Sequence, residues 1–141
     1  MGYYTGFRFI GVVKEEYVKD IKKLNIDEDN CWVTFAKKHP FAKKYSENDR
    51  CLFIPFGVMS YNGNKLGCKD SFNNFQYPNY LEDGCTWNFA CDLKNYDNTI
   101  EIFLNDIANE VCEKYIAFSW GEDELFPNIY RKEKENQDEK N

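Results

Sequence analysis

Between Cys85 and Leu93, apolar side chains take every second position: Cys85, Trp87, Phe89, Cys91 and Leu93 alternate with Thr86, Asn88 and Asp92. A period of two predicts a strand with one buried face. Ile100, Phe103, Leu104, Ile107, Ala108 and Val111 then recur at steps of three and four, which predicts a helix packing back on that strand. Asn98 followed by Glu101 forms a capping-box start, and Asp97 puts negative charge at the positive end of the helix dipole. Lys114 to Trp120 supplies a strand after the helix.

The earlier part of the chain carries weaker forms of the same patterns. Tyr3 to Val13 reads as a strand with Tyr3, Thr5, Phe7, Phe9 and Val13 on one face and Tyr4, Arg8, Ile10 and Val12 on the other. Apolar groups on both faces predict a central place in the sheet. Glu15 to Leu24 reads as a helix, with Tyr17, Val18, Ile21 and Leu24 at helical spacing, acidic residues in its first turn and lysines in its last. Cys31 to His39 predicts a second, short helix that Pro40 stops. Arg50 to Phe56 predicts a strand by its apolar run, with Pro55 pushing it toward an edge. From Gly57 to Gly84 the chain is irregular, rich in Asn, Gly, Tyr and Phe, with turn signals at Asn62-Gly63 and Asp83-Gly84. A connection of that length in a small domain marks a binding loop or a disordered excursion, and its aromatic content favours the former.

In order, these elements are strand, helix, extra helix, strand, long excursion, strand, helix, strand. That order predicts an α+β fold of the ferredoxin-like, split β-α-β kind: a four-stranded antiparallel sheet with helices on one face, one extra helix and a long excursion between the second and third strands. Residues 1–130 form a single domain, and the charged run 131–141 reads as a flexible tail. The sheet face opposite the helices, carrying Thr86, Asn88 and Asp92, is expected to be open. An open sheet with edge strands allows a homo-oligomer.

Composition changes the picture in two respects. Aromatic residues are 18% of the 141 residues, so the core is built from large rings. The formal net charge is −6, and no basic stripe is present, which argues against direct nucleic-acid binding. No apolar run is long enough to span a bilayer and no secretory leader opens the chain, so a soluble, cytoplasmic protein is expected, without membrane contact. In that compartment the six cysteines are expected to be free thiols.

The opening Met1-Gly2-Tyr3-Tyr4-Thr5, the segment His39-Pro40-Phe41 with Arg50 leading into an apolar run, and Leu93-Lys94-Asn95-Tyr96-Asp97-Asn98 entering the helix at Ile100-Glu101 give the chain a resemblance. It resembles a loose group of small bacteriophage and prophage proteins. The segments cover a fifth or less of the chain, and Cys51 stands where such relatives often have an aromatic residue. The resemblance implies no reaction. It implies an accessory protein of a phage or mobile element that binds and disables a host protein, a defence nuclease among the candidates, inside the host cell.

Candidate chemistry is sparse. The closest cysteine pair, Cys85 and Cys91, is too far apart for a structural zinc knuckle, so no metal and no cofactor is expected. His39 is the only histidine, and Cys31 lies two helical turns from it, which leaves a cysteine nucleophile without a base. Glu122, Asp123 and Glu124 cluster after the last predicted strand, and Asp106, Glu110 and Glu113 fall on one predicted helical stripe. The default reading of both is a solvated face. The functional reading is an acidic surface that steers toward a basic groove. Together with Tyr61, Asn62, Asn64, Phe75, Tyr77 and Tyr80 of the excursion, these carboxylates make up the expected partner-binding surface of a non-enzymatic protein. The alternative is a protein that sequesters a small molecule or nucleotide in a pocket beside the open sheet face.

Overall fold

A computed structural model of the chain describes residues 5–26, 31–49, 51, 53–56, 84–95, 98–121 and 124–133. Strand β1 (Thr5–Val13) leads into helix α1 (Glu15–Ile26), then α2 (Cys31–Lys38), a 3-10 turn at Pro40–Ala42, the single turn α3 (Lys43–Ser46) and a second short turn α4 (Phe53–Phe56). Strand β2 (Thr86–Leu93) follows. Helix α5 covers residues 99–111 and is π-helical over Phe103–Ala108. Strands β3 (Cys112–Gly121) and β4 (Asn128–Lys132) complete the chain's described part.

The four strands form one antiparallel sheet in the order β2-β1-β3-β4. Both neighbours of β1 run antiparallel to it, so β2 and β3 are parallel to each other and α5 joins them across β1. Phe9 sits opposite Phe89 on one side and Ala117 on the other, which fixes which residues share a face. Phe7, Phe9, Trp87, Phe89, Tyr115 and Ala117 point to the helix-covered side and are buried. Phe103 of α5 comes down on this floor. Its ring lies within about 6 Å, centroid to centroid, of Phe7, Phe9, Trp32, Tyr45, Trp87 and Phe89. The angles between planes run from 62° to 81°, the edge-to-face geometry that ring quadrupoles favour.

Gly11 makes room for this packing. A Cβ there would come within 2.9 Å of the Tyr115 Cβ and 3.0 Å of the Cys112 Sγ. Gly84, just before β2, has φ +92°, a conformation side-chain-bearing residues rarely adopt, as the Asp83-Gly84 turn signal implied.

The strand set departs from the ferredoxin-like expectation: the second strand expected at 50–56 is not among the four, and β4 pairs instead on the β3 edge. Arg50–Phe56 was expected to be the second strand; instead the chain turns at Cys51 and again through α4, within which Ile54 is extended (φ −118°, ψ 112°). The reason lies in its hydrogen bonds. Trp32 Nε1 donates to the Ile54 carbonyl at 2.7 Å, and the Tyr45 hydroxyl donates to the Cys51 carbonyl at 2.9 Å. Ile54 is buried without a strand partner among the described residues: Trp32 meets its carbonyl, and its N–H donates to the Cys51 carbonyl at 3.2 Å. The fourth strand is β4, which runs two residues into the charged stretch read as a tail.

Two finer expectations also change. The start of α5 is capped from further back. Asn98 sits in the left-handed region (φ 59°) with no side-chain capping bond, while Asn95 Oδ1 accepts the Ile100 N–H at 2.7 Å and Asn95 Nδ2 donates to Glu101 Oε1 at 3.1 Å. The outer sheet face is more apolar than the β2 residues suggested, because Ile10, Val12, Ile116, Phe118 and Trp120 of β1 and β3 fall on it, all half-buried. Arg8 lies on the same face, buried, its Nη1 donating to the Cys91 carbonyl at 3.1 Å.

Candidate functional site

The residues expected to bind a partner separate into three groups. Tyr61, Asn62, Asn64, Phe75, Tyr77 and Tyr80, together with Glu122 and Asp123, lie outside the described residues. Asp106, Glu110 and Glu113 do not form the expected helical stripe. The π-helical stretch shifts the spacing after Asp106, and the helix ends at Val111, so Glu113 belongs to β3. It falls where the β1–β3 register slips between Val12 and Val13, a bulge. Glu110 Oε2 accepts a hydrogen bond from the Tyr17 hydroxyl at 3.1 Å. Burial, with Glu110 adding to it, pushes that phenol up to about 12. Glu113 borders a cavity that also receives Lys19 and Lys22 of α1, so the local charge is mixed.

Glu124 has a clear structural role. Its Oε1 accepts the Gly121 N–H at 2.6 Å, and its own N–H donates to the Gly121 carbonyl at 3.2 Å. The carboxylate thereby closes the turn between β3 and β4. Just beyond it, Leu125 is 86% exposed, Phe126 78% and Ile129 60%. Ile129 stands on the outer face of β4 opposite Phe118. Nothing in the sequence reading singled out these three, because Leu125-Phe126-Pro127 is too short for a period of two or 3.6 to register. The available signal was the hydrophobic pair lodged between an acidic run and a proline.

A cleft of about 630 Å³ lies on the outer face at the other end of β1, floored by Ile10, Val12 and Ile116. Lys114, Arg131 and Lys132 border it. Lys132 Nζ is committed to the carbonyls of Asn109 (2.6 Å) and Cys112 (2.8 Å), which caps the end of α5, and Arg131 pairs loosely with Glu133 at 3.8 Å.

His39, the residue considered for catalysis, is placed structurally. Its Nε2 donates to Asp20 Oδ2 at 2.7 Å, Lys38 Nζ donates to Asp20 Oδ1 at 3.2 Å, and the imidazole packs among Tyr17, Phe35 and Phe41. Burial pushes the Asp20 carboxyl up, but the hydrogen bonds from His39 and Lys38 outweigh it and hold the group below its ordinary value. The pair thus locks α2 onto α1. Cys51, Cys85, Cys91 and Cys112 are free thiols. Burial pushes the Cys112 thiol up to about 12, which suppresses the thiolate a nucleophile requires. Cys85, expected in the core, is only half-buried because β2 begins one residue after it. Cys31 and Cys68 carry no described side chain. Among the described residues, no group of three His, Cys, Asp or Glu side chains is arranged to hold a metal, and no helix is long and apolar enough to cross a membrane.

No protein-family model, curated protein or solved structure matches the chain.

Proposed function

We propose that the protein is a non-enzymatic binding protein that engages a partner protein through its β3–β4 hairpin. The observation that supports this is the exposure of Leu125, Phe126 and Ile129 within five consecutive positions. Single exposed apolar residues are common on soluble proteins, but a contiguous group at a hairpin tip is the form an interface anchor takes. Gly121-Glu122-Asp123-Glu124 precedes the group in sequence, so the partner's pocket is one rimmed by Lys and Arg. On this reading the partner is a host protein with a basic groove, a defence nuclease being the form that fits the net charge of −6 and the phage-like segments.

The test is capture from a bacterial lysate by the wild type and by a Leu125→Ser/Phe126→Ser/Ile129→Thr variant side by side. A partner recovered with the wild type and lost with the variant, at melting temperatures within a few degrees of each other, supports the reading. Equal recovery by both proteins removes the hairpin from it.

The cleft at Ile10, Val12 and Ile116 favours a second reading, the sequestration of a nucleotide or similar anion with an apolar body. Lys114 and Arg131 bring the positive charge such a ligand needs. Under this reading, nucleotides raise the melting temperature in a saturable way; a flat response across the common nucleotides rules it out.

A further inference from the structure

At the end of the sheet away from that cleft lies a smaller cavity, of about 270 Å³. It sits on the helix-covered side, between the start of β1, the end of β3 and the first turn of α5. Two carboxylates line it, Glu101 and Glu124, and among the described residues no Lys, Arg or His does. Each carboxylate is held in place by neutral donors: Asn95 Nδ2 to Glu101 Oε1 at 3.1 Å, and the Gly121 N–H to Glu124 Oε1 at 2.6 Å. The Tyr130 hydroxyl bridges Ser119 Oγ at 3.1 Å and Glu101 Oε2 at 3.4 Å. None of these donors carries positive charge.

A second observation is independent of the carboxylates. Thr5, at the start of β1, also lines the cavity, is only 8% exposed, and its hydroxyl has no hydrogen-bond partner among the described residues. A buried hydroxyl left without a partner bears the full loss of its hydration, so such groups are rarely left idle. A buried donor-acceptor beside two uncompensated carboxylates is a site built to receive hydrogen-bond donors with positive charge.

We infer that this cavity binds a small organic cation, an alkylamine or guanidinium whose N–H groups reach Glu101, Glu124 and Thr5. A bare metal ion is the poorer match. The lining offers two charged oxygen ligands, and the volume is several times the roughly 30 Å³ share of one water molecule, room for a molecule of several heavy atoms. The inference does not rest on the hairpin reading: the two share only Glu124, whose carboxylate the Gly121 N–H holds in place, and none of Leu125, Phe126 or Ile129 is involved.

Isothermal titration with agmatine, which carries both an amine and a guanidinium, tests it. The wild type binds in a saturable way at millimolar ligand or below. Glu101→Gln weakens binding about tenfold or more, the loss of one charge-assisted contact. Thr5→Val, which keeps shape and removes only the hydroxyl, weakens binding while leaving the melting temperature unchanged or higher; it is the decisive variant should Glu101→Gln disturb the start of α5. No saturable binding by the wild type, or unchanged affinity in Thr5→Val, overturns the inference. So does calcium chloride that displaces agmatine and itself depends on Glu101, since it makes the cavity a hard-metal site.

Discussion

Phe103→Ala is expected to lower the unfolding free energy by about 3–5 kcal/mol, the cost of removing a fully buried ring and leaving a cavity. For a chain of this size, that is a fall in melting temperature on the order of 10–20 °C. Among the described residues, Phe103 is the helix residue whose ring meets β1, β2, α2 and α3 together, through Phe7, Phe9, Trp87, Phe89, Trp32 and Tyr45. Neither sheet nor helices can close over the gap without moving the other. Phe103→Leu, which restores most of the volume, recovers much of the loss. Thermal melts of the two variants check this, and a change of only a degree or two in Phe103→Ala contradicts the placement of α5 on the sheet.

The second large effect concerns Asp20. Asp20→Ala leaves the half-buried His39 ring nitrogen without its acceptor and costs about 1–3 kcal/mol. The pH dependence carries a sign. The folded carboxyl titrates below its unfolded value, so the pair's contribution is complete at neutral pH, persists above the unfolded value, and is lost as pH falls through the folded one. The wild type therefore loses stability on acidification below the ordinary carboxylate range, and Asp20→Asn loses less there, having started lower. Denaturant midpoints measured from neutral pH down into that range give the comparison. Parallel curves for wild type and variant show that Asp20 is not held by His39.

These two sites also show what was legible beforehand. The strand at Thr86–Leu93 and the helix at 99–111 were plain because their apolar positions repeat regularly, and the π-helical stretch leaves the stripe of Ile100, Phe103, Leu104, Ile107, Ala108 and Val111 buried. The strand expected at Arg50–Phe56 failed because an apolar run says only that a segment is buried. Whether its carbonyls meet a ladder or the side chains of Trp32 and Tyr45 depends on residues far away in sequence. The capping of α5 was recognised in kind and missed in place, since Asn95 reaches over the turn that Asn98 makes in the left-handed region. The stripe of Asp106, Glu110 and Glu113 assumed an unbroken α-helix, and a π-helical stretch followed by a strand dispersed it. β4 was missed because Asn-Ile-Tyr-Arg-Lys is short and ends in two charged residues, as exposed edge strands often do. With it went the hairpin tip.

That the hairpin is the contact surface is tested most directly by photocrosslinking in bacterial cells from a photoreactive residue at position 126, compared with one at position 22, an exposed site on α1. A discrete, heavier adduct is expected from position 126 and none from position 22. An adduct from position 22 with none from position 126 contradicts it.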